Sequence, residues 1–148
     1  MAVFTVIDKE DIEKLLKNYS VGTLKSFEGI LEGVENTNYK IITSKNSYIL
    51  TIFEKRINEN DLPFFINLQN YLSARNIKCP NPIIDNDKNF INKIKSKSCL
   101  IVSFLTGTNQ IKAIKKDHCY QVGRLIATIH TETKDFKSQR KNSLDLIN

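Results

Sequence analysis

The stretch Gly33-Val34-Glu35-Asn36-Thr37-Asn38-Tyr39 lies between the apolar pair Ile30-Leu31 and the strand-like run Tyr39-Lys40-Ile41-Ile42-Thr43, and the fold turns on how it is read. Gly33 takes φ > 0 without steric cost, so the backbone can turn sharply there. Asn36, Thr37 and Asn38 follow, with side chains that either bond neighbouring backbone groups or aim amide and hydroxyl donors into a concavity. Taken alone, the seven residues fit an ordinary hairpin turn as well as a phosphate-binding loop. The flanking sequence has to separate the two.

Before the loop, Asp8 stands at a helix N-cap position with Asp11 three residues on, and Ile12, Leu15, Leu16 and Tyr19 recur at helical spacing, which predicts a helix over Lys9–Asn18. Thr23 to Val34 reads as a strand, with Gly29 as a bend or bulge. Beyond the loop, Tyr39–Thr43 and Tyr48–Glu54 are β-branched and aromatic runs around the polar turn Ser44-Lys45-Asn46-Ser47, the pattern of a hairpin. Asp61 is expected to cap a second helix with Pro63 in its first turn and Phe64, Phe65, Leu68, Tyr71 and Leu72 on one face, ending near Arg75-Asn76. The prolines of Cys79-Pro80-Asn81-Pro82 force extended backbone. A strand over Phe90–Ile94 and the nearly all-apolar run Cys99–Leu105, an interior strand, follow. Thr106-Gly107-Thr108-Asn109 breaks that run before a helix over Lys115–His130, and Thr131–Asn148 reads as a surface segment or a connection.

Composition bounds the answer only loosely. The 148 residues suit one domain, and 22 Lys+Arg against 16 Asp+Glu give a net charge of +6, which favours an anionic partner. Cys79, Cys99 and Cys119 are far apart and odd in number, so neither a disulfide framework nor a thiolate zinc site is indicated, and a reducing cytoplasm is the expected location. The N-terminus has a short apolar patch but no basic start or small-residue cleavage site, and nothing reads as a membrane span. The basic cluster Lys112, Lys115, Lys116 and Lys134–Lys141 lacks interleaved aromatics, so no nucleic-acid partner is expected.

The order helix, three strands, helix, two strands, linker, helix resembles the α+β small lobe of a protein-kinase-like fold, a five-stranded antiparallel sheet plus helices, followed by a hinge and the first helix of an incomplete large lobe. The division is expected at 1–105 and 106–148. The loop has the G-x-x-N-x-x-Y pattern of the aminoglycoside phosphotransferase and choline kinase group. Together with Ser26–Ile30, Tyr48–Arg56, Asp61–Phe65 and Val102–Gly107, it resembles the homoserine kinases of that group over Met1 to about residue 145. The resemblance implies transfer of the γ-phosphoryl group of ATP, with Mg²⁺, to the side-chain hydroxyl of L-homoserine. It also implies that backbone N–H groups of Gly33, Val34, Glu35, Asn36, Thr37 and Asn38 cover the phosphates and that Ile49 packs on adenine. The Ser103 carbonyl and the Leu105 N–H, on either side of Phe104, would bond the adenine edge.

Two departures stand out. The strand position where many relatives carry a phosphate-binding Lys aligns with Thr51, and no carboxylate occupies the matching place in the Asp61–Arg75 helix. A Thr offers one hydrogen bond and no charge, which leaves Lys40, Lys55 or Arg56 to substitute, and alternation puts Lys55 on the face of Thr51 and Ile49. Secondly, nothing after His130 resembles the H-x-D-x-x-x-x-N loop or the later magnesium-binding Asp that this chemistry needs. We therefore expect the chain to be the N-terminal portion of a kinase of about twice its length, inactive by itself, with the catalytic and magnesium-binding residues elsewhere. His130 reads as a helix-end residue, and His118-Cys119 is not expected to bind a metal. Glu32 and Glu35 are expected to face solvent or pair with Lys.

Overall fold

The computed structural model describes residues 3–54, 58–107 and 113–141. The chain forms two compact units, residues 1–62 with 80–104 and residues 63–79 with 105–148. Among the described residues no helix is long and apolar enough to cross a membrane.

The first unit opens with α1, Lys9–Leu16. Asp8 and Asp11 cap it reciprocally: the Asp8 carboxylate accepts from the Asp11 N–H at 2.9 Å and the Asp11 carboxylate from the Asp8 N–H at 3.1 Å, which satisfies two backbone donors left over at the helix start. Asp8→Ala is accordingly expected to lower stability by about 1 kcal/mol in urea denaturation. The helix is two residues shorter than the sequence suggests, because Lys17 and Asn18 already form the turn that brings Tyr19 into the core.

A five-stranded antiparallel sheet of order β1-β2-β3-β5-β4 makes up the rest of this unit, as the kinase-like reading anticipated. Its strands are β1 (Leu24–Ile30), β2 (Thr37–Thr43), β3 (Ser47–Ile52), β4 (Ile91–Ile94) and β5 (Lys97–Ser103). β2 and β3 alternate buried and half-buried residues, the mark of strands whose two faces differ. Tyr39, Ile41, Leu50, Ile52 and Ile101 form one core with Ile12 and Leu15 of α1. Cys99 belongs to that core; burial pushes its thiol up to about 12, so it is protonated and packs as a small apolar group. All three described cysteines are free.

Several boundaries move. β1 stops at Ile30, not Val34, and β2 starts at Thr37, so Thr37 and Asn38 are strand residues rather than loop residues. The irregularity in β1 lies between Leu24 and Ser26, not at Gly29. Gly29 serves close approach instead: a Cβ there would come within 3.0 Å of the Val3 side chain. β5 runs two residues earlier than expected because Lys95 and Ser96, both at positive φ, make a tight turn from β4 without the usual Gly or Asn. β5 lies between β3 and β4, and its five central residues are all buried.

The second unit holds α2, which is Leu62–Ala74 apart from its first residue, and α3, Lys116–Glu132. Asp61 is not the first cap. It closes a short 3-10 turn, Glu59–Asp61, whose own cap is Asn58. α2 ends as the sequence suggests, with Asn76 at φ 59° and the Ile77 N–H bonded back to the Leu72 carbonyl at 3.1 Å. The segment after α3 is not wholly a surface segment, for Phe136 docks edge-on against Phe64 and Tyr71, with ring centroids 5.8 and 5.0 Å apart.

Candidate nucleotide site

The loop between β1 and β2 comprises residues 31–36, and Gly33 within it has φ 119°, a conformation that L side chains rarely adopt. Leu31, Glu32, Val34 and Glu35 are exposed, the two carboxylates without an ion pair among the described residues. The N–H groups of residues 33–36 donate to no described residue. Among the described residues, the loop therefore presents a short run of unused backbone donors.

Its C-terminal root, by contrast, is tied down by side-chain hydrogen bonds. The Asn36 carboxamide oxygen accepts from the Glu54 N–H at 3.4 Å. Thr37 is completely buried; its hydroxyl accepts from the N–H groups of Phe4 (3.0 Å) and Thr5 (3.1 Å) and donates to Glu54 Oε1 (2.8 Å). Tyr39, the last residue of the motif, faces the core, where its hydroxyl donates to the Thr5 carbonyl at 3.0 Å and accepts from the Ile7 N–H at 3.3 Å. The side chains of Asn36, Thr37 and Tyr39 thus hold backbone in place, and the Thr37 hydroxyl, buried with all its bonds made, has none left for a ligand.

Register decides which residues share the opposite face of the sheet, since residues directly across an antiparallel ladder point the same way. Asn38 pairs with Thr51 and Lys40 with Ile49, and Ile49 pairs in turn with Val102 and Thr51 with Leu100. The Thr51 hydroxyl donates to the Asn38 carboxamide oxygen at 2.8 Å, and the Asn38 Nδ2 has no partner among the described residues. Four of the predicted residues therefore meet here: Asn38 and Thr51 at the loop end, Ile49 one step along, and Phe104 beyond it.

Lys40, one of three candidates for the missing cation, lies on this face, but its Nζ sits 3.6 Å from Glu28 and 4.9 Å from the centroid of the Phe104 ring. It stands in the middle of β2, directly across from Ile49. Lys55 and Arg56 lie outside the described residues. Ser103, the last residue of β5, is tied down by the Asn81 backbone: its N–H donates to the Asn81 carbonyl at 2.8 Å and its Oγ accepts from the Asn81 N–H at 2.9 Å. The Phe104 N–H donates to the Ser47 carbonyl at 3.3 Å. Leu105 opens the second stretch of the second unit and is exposed.

The histidines take structural parts. His118 Nδ1 accepts from the Lys115 N–H at 3.1 Å and caps α3, while His130 is exposed near the end of that helix. Among the described residues no group of three His, Cys, Asp or Glu side chains is placed to hold a metal ion.

Residues 26–146 match the phosphotransferase enzyme family. The chain belongs to that family. It is 41% identical to a homoserine kinase of Parvibaculum lavamentivorans over 146 residues, which is 99% of this chain and 45% of that protein. To homoserine kinases of Methylobacterium radiotolerans and Bartonella tribocorum it is 42% identical, over 99% of this chain and 45% and 46% of theirs. The chain thus spans less than half the length of the curated relatives it matches. Among phosphotransferase-like structures, an aminopropanol kinase superposes with a TM-score of 0.70 at 15% identity, over 93% of this chain and 45% of its own. A spectinomycin phosphotransferase, solved with ADP and spectinomycin, gives 0.63 at 17% identity over 91% of this chain and 43% of its own. These two establish the fold.

Sequence reasoning missed Glu54 and Lys97. The Glu54 carboxylate takes hydrogen bonds from Thr5 at 2.6 Å and Thr37 at 2.8 Å and is ion-paired with Lys97. Burial disfavours its charge, but hydrogen bonds from Lys97, Thr5 and Thr37 and the charge of Lys97 outweigh that and hold its carboxyl below the usual range. The only sequence signal was an acidic residue closing the run Tyr48–Glu54.

Proposed function

We propose that this chain supplies the ATP-binding part of a homoserine kinase, an enzyme that moves the γ-phosphoryl group of ATP to the side-chain hydroxyl of L-homoserine in threonine synthesis. One observation carries the reading: similarity to homoserine kinases extends over 146 residues, 99% of the chain, with the loop, the strand face and the exit from β5 inside it. In this reading residues 1–105 make the nucleotide-binding lobe and 106–148 begin the second. The unengaged N–H groups of residues 33–36 receive the phosphates, where donors fixed in advance stabilise negative charge most effectively. Asn38 and Thr51 line the phosphate end, Ile49 packs on adenine, and the Ser103 carbonyl and Leu105 N–H bond its edge. Magnesium neutralises charge on the phosphoryl oxygens in such reactions, and none of its ligands is assigned to the described residues. Three free cysteines suit a reducing cytoplasm.

The acceptor is tested by supplying ATP, Mg²⁺ and a panel of small alcohols to a protein of the relatives' full length. Homoserine is expected to be turned over fastest; a panel in which homoserine stays unmodified contradicts the reading. The 148-residue chain alone is expected to form no phosphohomoserine, since no H-x-D-x-x-x-x-N motif follows His130. Product above the protein-free control would contradict that.

A further inference from the structure

One carboxylate joins four separate stretches of chain at the root of the loop. Glu54 Oε1 accepts from the hydroxyls of Thr5 and Thr37, and Oε2 is ion-paired with Lys97. The Glu54 N–H donates to Asn36, and Lys97 Nζ also donates to Thr5 Oγ1 at 2.7 Å. The Thr37 hydroxyl is saturated, with two N–H donors from Phe4 and Thr5 and one acceptor in Glu54. Stability alone does not require such a cluster, because apolar side chains of similar volume fill a site of this kind at no desolvation cost. What a closed polar network adds is a single geometry. It lies where that matters: Asn36 is the last loop residue, Thr37 the first of β2, and the N–H groups of residues 33–36, which donate to no described residue, run up to and include Asn36.

We infer that Glu54, gripped by Lys97, is a positioning residue for nucleotide phosphate: through Thr37 and Asn36 it fixes the root of the loop, so that the N–H groups of residues 33–36 are already aimed when a di- or triphosphate arrives. The inference rests on reading that loop as the phosphate cover. A preorganised donor set pays its ordering cost on folding rather than on binding, which raises affinity for the group it meets.

The test compares ADP with adenosine, which lacks the phosphates, in fluorescence or calorimetric titrations of the chain. Thr37→Val and Glu54→Gln are expected to weaken ADP about tenfold while adenosine changes by less than about twofold, and Thr37→Ser, which keeps the hydroxyl, is expected to retain ADP affinity. Equal weakening of both ligands, or no weakening, overturns the inference. A wild-type chain with no preference for ADP over adenosine removes the phosphate-loop reading itself and the inference with it. If Thr37→Val does not fold, backbone 15N relaxation in Glu54→Gln decides: lower order parameters at residues 31–36 with β3 and β5 unchanged support positioning, and unchanged order parameters at 31–36 overturn it.

Discussion

Ile101→Ala will remove about 2–5 kcal/mol of stability, the largest loss expected of a single substitution in this chain. Ile101 is fully buried in β5 and pairs with Leu50, also fully buried, in a core shared with Ile12 of α1. Deleting three carbons there costs the transfer of the removed atoms and leaves a cavity that paired strands on both sides keep from collapsing. A domain of this size has about 5–15 kcal/mol in total, so the variant should be close to unfolding at ordinary temperature. Urea denaturation followed by circular dichroism measures it. Because β5 ends on Ser103 and leads directly to Phe104, nucleotide binding should fall in step with the folded fraction. A midpoint within experimental error of wild type would mean that the core is not where the structure puts it.

The second large effect is at Lys97. Lys97→Met is expected to destabilise the chain by about 1–3 kcal/mol at neutral pH, because Glu54, whose side chain is only 11% exposed, keeps its charge and loses its cationic partner. Adding Glu54→Gln to Lys97→Met should recover part of that loss, since removing both members costs less than orphaning one. The pH dependence has a definite sign. The Glu54 carboxyl is held below its ordinary value of 4.5, so between that value and the lower folded-state value the unfolded chain binds more protons. Stability contributed by Glu54 is complete above about 4.5 and is lost as the pH falls through the folded value. Asp11 and Asp85 are also held low, Asp11 chiefly by the Asp8 N–H and Asp85 chiefly by Asn92, and they add to the acid limb. Glu54→Gln isolates its share: the slope of stability against pH below 4.5 should be shallower than in wild type, and an identical slope would show that the carboxylate is not engaged.

Local signals in the sequence reached most of the fold. The Asp8 and Asp11 pair marked the start of α1, alternation marked β2 and β3, and the apolar run near Cys99–Leu105 marked an interior strand. Each depends on neighbours a few residues away. The errors fall where distant partners decide. Thr37 and Asn38 have the composition of a turn but are strand residues, held by partners 32, 33 and 13 positions away. The early start of β5 rests on Lys95 and Ser96 adopting a left-handed turn that their side chains do not advertise. Phe136 anchors a segment that by composition looked solvated, because one aromatic suffices when two others are waiting for it.

The candidate site was half legible. The glycine at positive φ and the common face of Asn38, Ile49 and Thr51 follow from motif and alternation. The division of labour within the motif does not. The sequence leaves open whether the Asn36 and Thr37 side chains bond backbone or face a ligand; the structure uses both, and Tyr39 with them, as fastenings of the loop, through Phe4, Thr5, Ile7 and Glu54 from elsewhere in the chain. The backbone donors are what remains for the proposed phosphate contact, in a loop whose middle residues are exposed and chemically varied.

The most direct measurement follows the backbone amide resonances of Gly33, Val34, Glu35 and Asn36 in the isotope-labelled chain while ADP, and separately adenosine, is added. If the loop covers phosphate, ADP shifts these four amides and adenosine leaves them in place, while both ligands perturb Ile49 and the residues around Phe104. Binding of ADP that moves the sheet amides and leaves residues 33–36 untouched would contradict the account.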